Sequence, residues 1–114
     1  MRYNGGMSDE YQIEIPPSFY ALYTDARRRL TVPLNVLRAR YDLCEDLAQQ
    51  LVGHARNQHH GSHGLREDEV LRRCRLGLST PDAGVSAAEA GWVVRRLAEL
   101  LDWECPAFDT DPAP

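Results

Sequence analysis

The strongest constraint in this chain is an apolar stripe over residues 34–55. Leu34, Leu37, Tyr41, Cys44, Ala48, Leu51 and Ala55 recur at alternating three- and four-residue steps. That spacing puts every member on one face of an α-helix and does not fit the period-two alternation of a strand. Leu43 and Leu47 widen the stripe. Thr31 offers a capping hydroxyl, and Pro33 stands in the first turn, where its missing N–H is no loss. The pattern predicts a helix from there to about Arg56, weakened in its last turns by Gly53.

Two more helices are legible. One spans residues 65–78, with Glu67, Asp68 and Glu69 at the positive end of its dipole and Val70, Leu71, Cys74 and Leu78 as its buried face. Leu65 and Val70 have staple spacing, Arg66 is not a capping residue, and Arg72, Arg73 and Arg75 are expected to point away from the core. The other starts at Ser86-Ala87-Ala88-Glu89, a capping box, and runs to about Trp103. Its apolar residues cover more than one face, from Trp92 and Val93 to Leu100 and Leu101, so it should bury two sides. A short helix capped by Ser18 would carry Phe19, Leu22 and Tyr23. Tyr11, Ile13 and Ile15 alternate with polar residues up to Pro16-Pro17, a pattern read as an extended arm over the helices. The expected fold class is therefore all-α: a small bundle of three to four helices with an extended N-terminal arm. The expected organisation is a flexible leader (1–10), a helical domain (11–104) and a disordered acidic tail (105–114).

Length agrees: 114 residues with 43% apolar content can bury one core without staples. No apolar run is long enough to span a bilayer, and three cysteines without a CxxC pair suit reduced thiols, so the expected location is the cytoplasm. Cys44 and Cys74 are expected to be core thiols. The charge of −4 is unevenly spread. Residues 24–40 carry Arg27, Arg28, Arg29, Arg38 and Arg40 against Asp25, whereas residues 81–114 are acidic.

All 13 basic residues are arginine. The lack of lysine excludes Schiff-base chemistry, a lysine general base and a phosphate loop ending in Gly-Lys-Ser/Thr. No serine lies in a nucleophile elbow. The expectation is a non-enzymatic chain without a cofactor. Four histidines invite a metal reading, with His59, His60 and His63 in one Gly- and Ser-bearing loop over residues 57–64. Loop histidines without a nearby thiol or carboxylate are more often solvated, so these three are weak ligand candidates and no metal is assigned. Nucleic-acid binding would use the helices at 65–78 and 86–103 in a helix-turn-helix manner. Pro81 lengthens the turn, Arg95 and Arg96 fall late on the final helix, and net acidity opposes a polyanion, so the balance is against it. The favoured reading is an interaction or adaptor module that binds another protein, with no membrane partner and self-association left open. Its candidate contact residues are Trp92, Arg72, Arg73, Arg95, Arg96, Tyr20 and Tyr23, because Trp, Tyr and Arg dominate interface hot spots. A DNA-binding regulator and a metal-binding helper are the alternatives.

Three segments carry a resemblance: Tyr11-Gln12-Ile13-Glu14-Ile15-Pro16-Pro17-Ser18-Phe19, Arg40-Tyr41-Asp42-Leu43-Cys44-Glu45-Asp46-Leu47-Ala48 and Trp92-Val93-Val94-Arg95-Arg96-Leu97-Ala98-Glu99-Leu100-Leu101. Over residues 8–103 the chain resembles a family of short uncharacterised proteobacterial proteins, some labelled "ATPase with chaperone activity". The absence of lysine and of a phosphate loop puts the ATPase part of that label in doubt. What the resemblance implies is a chaperone-associated or adaptor role.

Overall fold

A computed structural model describes residues 15–61 and 64–106. The leader, most of the arm and most of the acidic tail lie outside the described residues, as does His63. Four α-helices follow one another: α1 (Pro17–Tyr20), α2 (Leu34–His60), α3 (Glu67–Leu78) and α4 (Ala87–Leu101). Two short 3-10 turns, Ala21–Tyr23 and Pro81–Ala83, extend α1 and precede α4. Among the described residues there is no strand, only an isolated bridge between Thr24 and Leu30. The all-α bundle is as the periodicity predicts, and no described helix is long and apolar enough to cross a membrane.

The core follows from where the stripes meet. Leu37, Cys44, Ala48 and Ala55 of α2 are fully buried, together with Val70 and Leu71 of α3 and Val93, Val94 and Leu97 of α4. α4 is the central helix and packs on both α2 and α3. Its small residues Ala90, Gly91 and Ala98 are all buried, so α4 is covered on more than one face, as its broad apolar pattern requires. Leu34, in the first turn of α2, departs from the stripe: it is 46% exposed. Cys44 and Cys74 are buried free thiols. Burial pushes the Cys44 thiol up to about 12 and raises that of Cys74, so neither is a ready nucleophile.

Several boundaries differ from the local signals, each for a tertiary reason. Ser18 does not cap α1; Pro16 precedes the helix, and the Ser18 hydroxyl instead accepts the Trp92 indole N–H at 2.9 Å. Thr31 does not cap α2; Pro33 is the capping position, and the Thr31 N–H and hydroxyl both donate to the Tyr23 carbonyl, at 2.7 and 3.0 Å. The helix predicted to end near Arg56 continues to His60. Its polar last turn is held from outside: the His59 ring lies 5.0 Å from that of Trp103, and the Leu65 N–H donates to the Gln58 carbonyl at 3.2 Å. Gly61 follows as the C-cap in an extended conformation, in a place that only glycine fits, since a Cβ would sit 2.4 Å from the Asn57 carbonyl oxygen. Arg75, expected to point outward, is 7% exposed. It lies four residues after Leu71 and so on the flank of the buried face of α3.

The start of α4 is as expected. The Ser86 hydroxyl accepts the Glu89 N–H at 3.0 Å, and Glu89 Oε1 accepts the Ser86 N–H at 2.8 Å. The helix closes on Asp102 in the left-handed region (φ 60°), with the Trp103 N–H returning to the Ala98 carbonyl at 2.8 Å.

Candidate interaction surfaces

Among the described residues the most deeply buried charged side chain is Glu89. The capping box pulls its side chain back over the end of α4, and α2 then covers it to 2% exposure. An isolated carboxylate in such a place would take up a proton. Here Arg40 of α2 meets it with a two-pronged fork: Nε donates to Oε2 at 2.9 Å and Nη2 to Oε1 at 2.7 Å. The Tyr23 hydroxyl also donates to Oε2, and Arg40 Nη2 reaches on to the Gly84 carbonyl at 2.8 Å. Burial pushes the Glu89 carboxyl up, but Arg40, Tyr23 and the Ser86 N–H outweigh it and hold it at about 2. Burial and the facing carboxylate push Tyr23 up to about 12. Because the folded-state value lies below the ordinary 4.5, this contribution to stability is complete above pH 4.5 and is lost as pH falls toward 2. Thermal melts of the wild type and Glu89→Gln should show it: the gap between their melting temperatures narrows over that window and is constant above it.

This node has the makings of a joint rather than of a reactive centre. Every carboxylate oxygen is occupied, and three segments far apart in sequence converge on it. Only half of it was legible in the sequence. The capping box announces Glu89, but nothing local announces its Arg40 partner, 49 residues away.

The other predicted residues divide by location. Trp92, Arg95 and Arg96 come together with Tyr41, Leu22 and Ser18 around a groove of 320 Å³ between α1, α2 and α4. The Trp92 indole is 6% exposed and lies edge-on to Phe19 and Tyr41, with centroids 5.1 and 5.8 Å away. This corrects the expectation of Trp92 as a surface anchor: it is chiefly core, and the groove sees only its margin. Arg96 forks onto Glu45 of α2 at 2.8 and 3.0 Å and touches Glu99 at 3.1 Å. That fork holds the Glu45 carboxyl below its ordinary value. Arg95 is exposed on the same rim. Tyr20 is half-buried against the core, and Tyr23 is spent on Glu89. Arg72 and Arg73 lie elsewhere, exposed on α3 and paired with Asp68 and Glu69 one turn back, at 3.0 and 3.1 Å. Exposed i,i+4 pairs of this kind contribute little to stability.

The histidine loop of the sequence is not a loop over its first half. His59 and His60 complete the last turn of α2. His59 Nδ1 lies 2.8 Å from the Leu65 carbonyl, and its ring packs on Trp103, so this side chain fastens the helix end to the start of α3 and to the end of the chain's described part. An open cleft of 610 Å³ adjoins it, lined by Arg66, Glu67, Asp68 and Cys105 among others. Among the described residues no group of three or more His, Cys, Asp or Glu side chains is placed to hold a metal ion. The first turn of α4, where a recognition helix would offer donors to bases, exposes Ala87 and Ala88. No family model, curated protein or solved structure matches the chain.

Proposed function

We propose that the chain is a non-enzymatic interaction or adaptor module that receives a segment of another protein in the groove between α1, α2 and α4. The observation that carries this reading is the composition of that groove: Leu22, Tyr41 and the Trp92 margin line its apolar part, and Arg95, Arg96 and Glu99 stand on its rim. An apolar, aromatic depression edged by charged side chains of both signs suits a partner that inserts one apolar side chain and meets the rim with polar groups. A chaperone-associated role is one form such a module would take. Leu22 is the residue to test, since it is half-buried at the groove and belongs to no hydrogen-bonding network described above.

A pull-down from lysate of the source organism, paired with size-exclusion chromatography, tests the reading. Wild type and Arg72→Gln/Arg73→Gln should retain the same partner, whereas Leu22→Asp loses it while still melting cooperatively. A partner lost with the α3 arginines and kept by Leu22→Asp would overturn the groove assignment. A dimer in chromatography that Leu22→Asp dissolves would identify the partner as a second copy of the chain.

A further inference from the structure

The turn between α1 and α2 carries three consecutive exposed arginines, Arg27, Arg28 and Arg29. Loops with such side chains are ordinarily soft, but this one is tied down at every step. Asp25 Oδ1 accepts the N–H groups of Arg27 and Arg29 at 2.8 and 3.0 Å. The Arg28 N–H donates to the Asp25 carbonyl, and the Asp25 N–H to the Arg29 carbonyl, both at 2.9 Å. Arg28 is held at φ 64°, the left-handed region that disfavours a residue with a side chain. The base of the turn is fastened through the Tyr23 carbonyl to Thr31, and the Tyr23 side chain is fastened in turn to Glu89. The arginine tip therefore stands on a base tied, through Tyr23, to the Glu89 node.

The three guanidinium groups are also unspent. Arg40, Arg66, Arg72, Arg73 and Arg96 each hold a carboxylate, but among the described residues no carboxylate side chain pairs with Arg27, Arg28 or Arg29. Asp25, the nearest acid in sequence, is turned to the backbone. Next along the chain, Leu30 is 37% and Leu34 46% exposed. A basic tip followed by open leucines is locally complementary to a ligand that is both acidic and apolar.

We propose that residues 25–34 form a second docking surface, one for an acidic, leucine-bearing segment of a partner protein, with Arg27, Arg28 and Arg29 taking its carboxylates and Leu30 and Leu34 its apolar side chains. A nucleic acid backbone would leave the two leucines without a counterpart, and a bilayer would gain too little from two partly exposed leucines to hold a chain that is acidic overall. The pinned backbone limits the ordering cost on binding to the arginine side chains themselves.

The inference goes beyond the groove and has its own test. A fluorescein-labelled synthetic peptide of alternating Glu and Leu is titrated with the full chain and followed by anisotropy. A Lys–Leu peptide, a labelled single-stranded DNA and vesicles containing phosphatidylserine serve as comparators. The Glu–Leu peptide should bind in a salt-sensitive way and the comparators should not. Arg27→Gln/Arg28→Gln/Arg29→Gln should weaken binding about tenfold, as three partly solvated ion pairs imply, with no change in melting temperature. Arg72→Gln/Arg73→Gln should leave it unchanged. Asp25→Ala is the sharper probe. Mere charge attraction predicts tighter binding when an acid is removed, whereas a preorganised turn predicts weaker binding. No peptide binding, equal loss in the α3 variant, tighter binding by Asp25→Ala, or a preference for DNA or vesicles would each overturn the proposal. None of these outcomes touches the Leu22 groove, whose failure the pull-down reads separately.

Discussion

Replacing Glu89 with alanine should lower the stability of this protein by about 3–5 kcal/mol, the range found when one partner of a buried ion pair is removed. For a domain of this size that corresponds to a fall of roughly 12–20 °C in melting temperature. The reason is what the substitution leaves behind. The Arg40 guanidinium, 30% exposed, keeps only the Gly84 carbonyl, while the Tyr23 hydroxyl and the Ser86 N–H lose their acceptor. Unmet donors near the core cost more than the made bond returns. Glu89→Gln should be milder, since an amide oxygen can still accept from Ser86 or Tyr23. Tyr23→Phe, which removes one donor to a charged acceptor, should cost about 1.5–3 kcal/mol. Differential scanning calorimetry at neutral pH orders the three variants. If Glu89→Ala melted within a few degrees of wild type, the carboxylate would not be the joint that its contacts indicate.

Phe19→Ala should be as damaging, at about 3–5 kcal/mol for a fully buried aromatic ring. Phe19 is 0% exposed although it belongs to a helix of a single turn. An isolated turn has no stability of its own. It is held because the Phe19 ring enters a cage of Tyr23, Tyr41 and Trp92, with centroids 5.7, 5.5 and 5.1 Å away. Such edge and tilted pairings add to the value of area burial alone. Urea denaturation of the variant should show a lower midpoint, and the emission of Trp92 should change before unfolding, since its nearest ring is gone. An unchanged midpoint would mean that α1 merely rests on the bundle. The same result would undermine the groove, which is built between α1 and α4.

Both predictions bear on the two surfaces assigned above. The groove exists because Phe19 and the Ser18–Trp92 hydrogen bond dock α1 beside α4. The arginine turn is presented because Tyr23, one turn later, ties its base to Glu89. Residues that hold the fold together thus also set the position of the residues proposed to meet partners. Variants in the first group should therefore be judged by melting temperature before any loss of binding is read.

What the sequence determined by itself is what depends on short-range periodicity. Residues 34–55, 70–78 and 86–101 contain their helices in the spacing of their apolar side chains, and Ser86 with Glu89 contains its own cap, because both ends of that bond lie within four residues. The wide apolar face of α4 likewise announces a helix with neighbours on two sides. Only the tertiary structure decided where polar side chains spend their hydrogen bonds. Ser18 and Thr31 have the chemistry of helix caps, but Trp92 and the Tyr23 carbonyl compete for them and win. His59 looks like a loop residue until Trp103 and Leu65 extend the helix beneath it. Arg40 could have been any surface arginine, and it is the partner of the one deeply buried carboxylate among the described residues. Trp92 has the composition of a binding anchor and is mostly core. A polar group can satisfy itself locally or at a distance for nearly the same energy. The choice falls to whichever partner the packing of the apolar faces brings within 3 Å, and that is a property of the whole fold.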